Sequence, residues 1–188
     1  MNNKTGFNQN LQVFYISKEE TNCPLIIEIL KISKKLKEKN IIKKDNDATL
    51  SLKFGKRIII NGVVNDFSNI KKKELLEVVD FDPIKNNLLL IGSTEPKIET
   101  PLHWMIHHAR NDVNFIVQIN KTEINNKIKN PKISEITDKY PIGTLDNTKE
   151  VLKALRTNKK IKIKNDGLLL VGINTVEIEK QIKDIFGV

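Results

Sequence analysis

Apolar positions change their spacing along the chain, and each change marks an element. Leu25, Ile29, Ile32 and Leu36 recur three or four apart with lysines between them, and Pro24 suits a first helical turn, so the spacing predicts an amphipathic helix from about Pro24 to Asn40. Four segments rich in branched residues follow: "TLSLKF", "RIIING", "LLEVVDFD" and "NNLLLIG". Turn residues and a short helical "SNIKKKE" separate them, which predicts a meandering sheet. A helix from about Pro96 to Arg110 then leads into the apolar strand "VNFIVQI". Past a looser polar stretch, "NTKEVLKALRTN" predicts a helix and "KIKIKNDGLLLVG" a hairpin turning at Asp166-Gly167. "TVEIEKQIKDIF" closes the chain as a helix with Thr175 as its cap. Helices that punctuate a sheet in this way predict an α/β fold of the layered α+β kind, with a central, mainly antiparallel sheet flanked by helices. Residues 1–22, polar around "LQVFYI", are expected to form an N-terminal extension, either a frayed arm or an added strand, and residues 23–188 a single domain.

Composition narrows the class without changing this picture. The 188 residues are 39% hydrophobic and 29% charged, which suits one globular domain. The longest apolar runs, such as "LLLVGI", fall far short of the roughly 20 residues that a membrane crossing needs. A lone cysteine, Cys23, cannot form an internal disulfide, has no activating neighbour in sequence, and together with the opening residues points to the cytoplasm. The net charge of +9 is almost entirely lysine, with arginine only at Arg57, Arg110 and Arg156. Recognition of bases and phosphodiesters favours the guanidinium fork, so the lysine runs read as solvated faces, and neither nucleic acid nor membrane is an expected partner.

Candidate chemistry concentrates in "ETPLHWMIHHARNDVNFIVQIN", residues 99–120. Glu99 opens a helix, where a carboxylate is favoured by the macrodipole alone. His103 and His107 stand four apart on that helix and could share a metal. No glutamate follows His103 directly, so the plainer reading is a packed or solvent-facing pair. Gln118 and Asn120 occupy alternate positions of the following strand and so share a face. Buried amides need partners, and each other, Asp166 or water are the candidates.

This phrase, together with "NDGLLLVG" and the order of segments, resembles the class II aldolase/adducin family over roughly Pro24 to the C-terminus. The resemblance implies a zinc site of three histidines and an acid–base glutamate. The glutamate falls on Glu99, whereas the histidine positions fall on Gln118, Asn120 and Asp166. Phosphate-loop positions fall on Ala48, Thr49, Ser51 and Lys53, on Asn61 and Gly62, and on Lys97 and Ile98, so Ser51, Lys53, Asn61, Gly62 and Lys97 are the candidate ligand-binding residues. Neutral amides are weak zinc donors. The expectation is therefore a protein of this family without metal or other cofactor, catalytically inactive, binding a small anionic ligand or a protein partner. The alternative is a sugar-phosphate lyase of aldolase or epimerase type in which oxygen donors hold Mg²⁺ or Ca²⁺. A homo-oligomer is also implied, a tetramer in the family's pattern, although the stretch before Asp166 is short for one.

Overall fold

The structure, a computed structural model, describes residues 11–120, 124, 127–129, 133–137, 140, 144–164 and 167–188. Among the described residues nine strands form one sheet. In chain order they are β1 (Gln12–Ser17), β2 (Ala48–Phe54), β3 (Arg57–Asn61), β4 (Leu75–Asp82), β5 (Asn87–Ile91), β6 (Phe115–Ile119), β7 (Ser134–Ile136), β8 (Lys160–Ile163) and β9 (Gly167–Gly172). Their order across the sheet is β1-β5-β4-β3-β2-β6-β9-β8-β7, antiparallel except for the outermost pairs β1–β5 and β7–β8. The helices are α1 (Ile26–Glu38), α2 (Thr100–Ala109), α3 (Leu145–Leu155) and α4 (Thr175–Phe186).

Alternation along the central strands sorts residues between two helical layers. Leu50 and Leu52 of β2, Val117 of β6 and Leu168 and Leu170 of β9 pack with Ile29, Ile32 and Leu36 of α1 and Ile178, Ile182 and Ile185 of α4. The opposite face carries two separate apolar clusters. One joins Ile116, Leu169 and Val171 to Leu102 and Ile106 of α2 and Val151 and Leu155 of α3. The other joins Ile58, Ile60, Leu76, Val78 and Leu90 to the outer side of α2 at Trp104 and Met105. Between them β2 presents Thr49 and Ser51, so a polar seam runs under α2 where an apolar core would be continuous.

The expected elements are present, with shifted ends. Helix α2 starts at Thr100, with Pro101 in its first turn, rather than at Pro96, because residues 94–97 are held in a loop above β3. The short helical stretch before β4 is two single 3₁₀ turns, Phe67–Asn69 and Lys72–Glu74. Asn174, not Thr175, caps α4, its side chain accepting the Glu177 N–H. The helix ends at Gly187, whose φ of +67° is the left-handed conformation that favours glycine. Residues 12–17 of the N-terminal extension form the edge strand β1, and β7 is a strand that no sequence pattern announced. The turn residue Asp166 lies outside the described residues.

Candidate ligand site between β2, β6 and α2

Glu99 is the residue before the first turn of α2, yet its side chain caps nothing. It points inward and is only 6% exposed. Thr49 Oγ1 donates to Glu99 Oε2 at 3.1 Å, and Asn120 Nδ2 donates to Oε1 at 2.6 Å. Glu99 thus stays at the N-terminal end of α2, where the macrodipole favours a carboxylate, while its oxygens are engaged by Thr49 and Asn120 rather than by the helix. Burial raises its pKa above the usual carboxylate value, opposed by its own backbone N–H, by nearby Lys97 and by the two side-chain donors.

Lys97 comes from the loop between β5 and α2. That loop is fixed from three sides: Thr94 Oγ1 donates to Val63 O, Val63 N to Glu95 O, and Tyr15 Oη to Thr94 O. Gly62 permits the approach, because a Cβ there would lie 2.4 Å from Thr94 Cγ2 and 2.5 Å from Glu95 O. The Lys97 ammonium is thereby directed under the chain, where it donates to Ala48 O at 2.7 Å and Asn46 O at 3.4 Å. Lys97 is 7% exposed, and among the described residues no carboxylate lies within ion-pair distance of it. Burial pushes its pKa down to about 8, against the pull of Glu99 and Asp47.

Further along the seam, Ser51 Oγ lies 2.8 Å from His103 Nδ1 and 2.9 Å from His107 Nε2. Both rings are fully buried, so the histidines form a packed pair rather than a solvent-facing one. The carbonyl of Val113, 3.3 Å from His107 Nδ1, can only accept, which assigns the proton to Nδ1 and leaves Nε2 to accept the serine hydroxyl. Ser51 in turn accepts from His103 Nδ1–H, so His103 Nε2 carries a lone pair. Burial holds both rings neutral, with pKa values lowered to about 3 for His103 and about 4 for His107. Gln118, paired across the ladder with Thr49, stands close enough to His103 to favour its charged form as a hydrogen-bond partner. The geometry stops short of a formed bond: His103 Nε2, both polar atoms of Gln118 and Asn120 Oδ1 are buried without partners among the described residues.

The candidate ligand residues do not form one cluster. Ser51 serves the two imidazoles, and Lys53 Nζ reaches the His107 carbonyl at 3.3 Å, toward the far end of β2. Asn61 accepts the Leu50 N–H at 2.7 Å and donates to Gly62 O at 3.0 Å, while the Gly62 N–H goes to Glu74 O. The expected anion donors at Asn61 and Gly62 are thus committed to holding β2, β3 and β4 together. Lys97, Glu99, Thr49, Asn120 and Gln118 are brought together at one end of the central strands. Thr49 as a working side chain went unrecognised in the sequence, although the alternation Thr49, Ser51, Lys53 beside the i, i+4 histidines carried the signal.

The sequence pattern described as "Class II Aldolase and Adducin N-terminal domain" matches residues 27–124, more than half of the chain. The chain belongs to the class II aldolase and adducin family. The fold agrees with solved members. An L-fuculose 1-phosphate aldolase superposes with a TM-score of 0.63 at 19% identity, covering 87% of this chain and 86% of that one. A sugar-phosphate aldolase from Thermotoga maritima gives 0.65 at 14%, covering 84% and 88%. The N-terminal class II aldolase domain of a conserved protein from Thermoplasma acidophilum gives 0.65 at 12%, covering 91% and 94%. No curated protein matches by sequence. Among the described residues no helix is long and apolar enough to cross a membrane.

Among the described residues the donors do not fit zinc, the metal that the family resemblance implies. Gln118 and Asn120 offer neutral amides, and Asn120 turns its nitrogen toward Glu99. Among the described residues no group of three histidine, cysteine, aspartate or glutamate side chains is arranged to hold an ion. At Glu99 each carboxylate oxygen accepts one hydrogen bond, from Thr49 and from Asn120.

Proposed function

We propose that this member of the class II aldolase and adducin family binds a small anionic molecule beside Lys97, without the zinc-dependent aldol chemistry that the family resemblance implies. The observation that carries the reading is the Lys97 ammonium, enclosed with carbonyl oxygens and, among the described residues, in no ion pair with a carboxylate. An incoming anion would add to the partial compensation that Glu99 and Asp47 already give this buried cation. The buried Gln118 amide lies at the same end of the strands, and Glu99, which Thr49 and Asn120 hold, restricts the choice to ligands that tolerate or donate to a carboxyl group. Inorganic phosphate is the first probe. It is expected to raise the melting temperature of the wild-type protein and to leave that of Lys97→Met unmoved, since a ligand stabilises in proportion to its occupancy of the folded state. Elemental analysis after dialysis is expected to find no stoichiometric zinc, with no retro-aldol cleavage of sugar phosphates. One tightly held zinc per chain would overturn the reading.

A homo-oligomer belongs to the same proposal. Phe14, Tyr15 and Ile16 are exposed on the edge strand β1, and open strand edges with apolar side chains favour pairing or cover. Sedimentation of the 21.6 kDa chain is expected to show a larger species at high concentration, and a monomer throughout would reject it.

A further inference from the structure

The proposed anion site contains a second chemical capability, because the group that holds its charge is also a nucleophile. Two features decide what Lys97 can do. Its amine is withdrawn from water, so less proton affinity remains than in a surface lysine; with a pKa of about 8, roughly two orders of magnitude more of it is free amine at pH 7 than for an ordinary lysine. Its position is also fixed: Nζ donates to Ala48 O while the next residue along β2, Thr49, donates to the Glu99 carboxyl, so amine and carboxyl are anchored to consecutive residues of one strand and feel each other's charge. A desolvated amine beside a proton donor is the arrangement that captures carbonyl groups.

We propose that Lys97 forms an imine with a small carbonyl compound that also carries an anionic group, a 2-oxo acid being the simplest class, with Glu99 as the proton donor. This rests on the anion-site reading above and names the ligand class for it. The neutral amine adds to the carbonyl carbon, and one amine proton passes to the carbonyl oxygen, giving a carbinolamine. The C–O bond then breaks as Glu99 delivers its proton to the departing hydroxyl. The products are water, the Glu99 carboxylate and a protonated Lys97 imine, whose positive charge still faces the anionic group of the ligand. Asn120 and Thr49, which donate to Glu99, stabilise the carboxylate left behind. Asn120 is partly exposed and Ile98 is 47% exposed, so the edge of the site open to solvent lies beside them.

The test uses the full chain with glyoxylate and, separately, pyruvate, each reduced in place with sodium cyanoborohydride at pH 7 and followed by peptide mapping. The reduced adduct is expected at Lys97 at about ten times or more the mean level of the exposed lysines. Glu99→Gln is expected to slow adduct formation about a hundredfold while Lys97 remains the labelled residue. Lys97→Arg, which keeps the charge but cannot form an imine, is expected to retain the phosphate-induced rise in melting temperature and to lose the adduct. Labelling of Lys97 at or below the level of surface lysines, in wild-type protein that phosphate stabilises, would overturn the imine and leave the anion site standing. If phosphate gives no stabilisation and Lys97 is not labelled, both fall together.

Discussion

Replacing Ser51 by valine is expected to cost about 2–4 kcal/mol of stability, because a single hydroxyl satisfies two buried imidazoles. Without it, His103 Nδ1–H loses its acceptor and His107 Nε2 its donor, and neither ring can reach water. Protonation offers no escape, since burial has already lowered both pKa values far below neutrality. Valine fills the volume but supplies no polar atom, so the penalty is electrostatic rather than a cavity. Thermal unfolding should show a fall of about 6–12 °C for a chain of this size. Ser51→Thr keeps the hydroxyl and should recover most of the loss. A fall of less than about 1 kcal/mol in the valine variant would show that the rings find other partners and that the tautomer chain derived above is wrong.

The stability of the wild-type protein should rise relative to Lys97→Met as pH increases from about 8 to 10.5. The folded state holds the Lys97 proton with a pKa of about 8, and the unfolded chain holds it near the ordinary 10.5. Between those values the unfolded state binds more protons, so alkalinity favours folding at this position. The difference amounts to about 3 kcal/mol at most, and below pH 8 the full penalty is present in the wild type and absent in the methionine variant. Glu99 acts in the opposite sense at lower pH. Its raised pKa means that the fold retains a proton the unfolded chain releases, so its contribution declines as pH climbs past the ordinary carboxylate value. Denaturant unfolding of both proteins at pH 7, 8.5 and 10 separates the lysine effect, because the two chains differ at position 97 alone. Parallel curves would mean that Lys97 is solvated.

The layers and most elements were legible in the sequence because hydrophobic periodicity reports burial directly. The central strands and the four helices all appear at that level, and so does the agreement of "ETPLHWMIHHARNDVNFIVQIN" with its family. The parts that were not legible depend on which polar group meets which. Asn61 looked like an anion donor and turned out to brace β2, since sequence cannot show that its oxygen would meet the Leu50 N–H. Glu99 looked like a helix-dipole residue, and only the register of β2 against β6, which sets Thr49 opposite Gln118, shows it turned inward. Lys97 carried no periodic signal, because it sits in a loop whose path is dictated by Gly62 and Thr94.

That path gives the first strand an unexpected reach. Among the described residues β1 is the outermost strand, paired on one side only, yet Tyr15 grips the loop at Thr94, three residues before Lys97, and Ser17 O takes the Gly92 N–H at the loop's start. The strand is thus a leash on the loop, tied at Gly92 and at Thr94, both upstream of the lysine. Any molecule that added itself to the open edge of β1 would stiffen the leash, and so would speak to an amine on the far side of three strands without touching it.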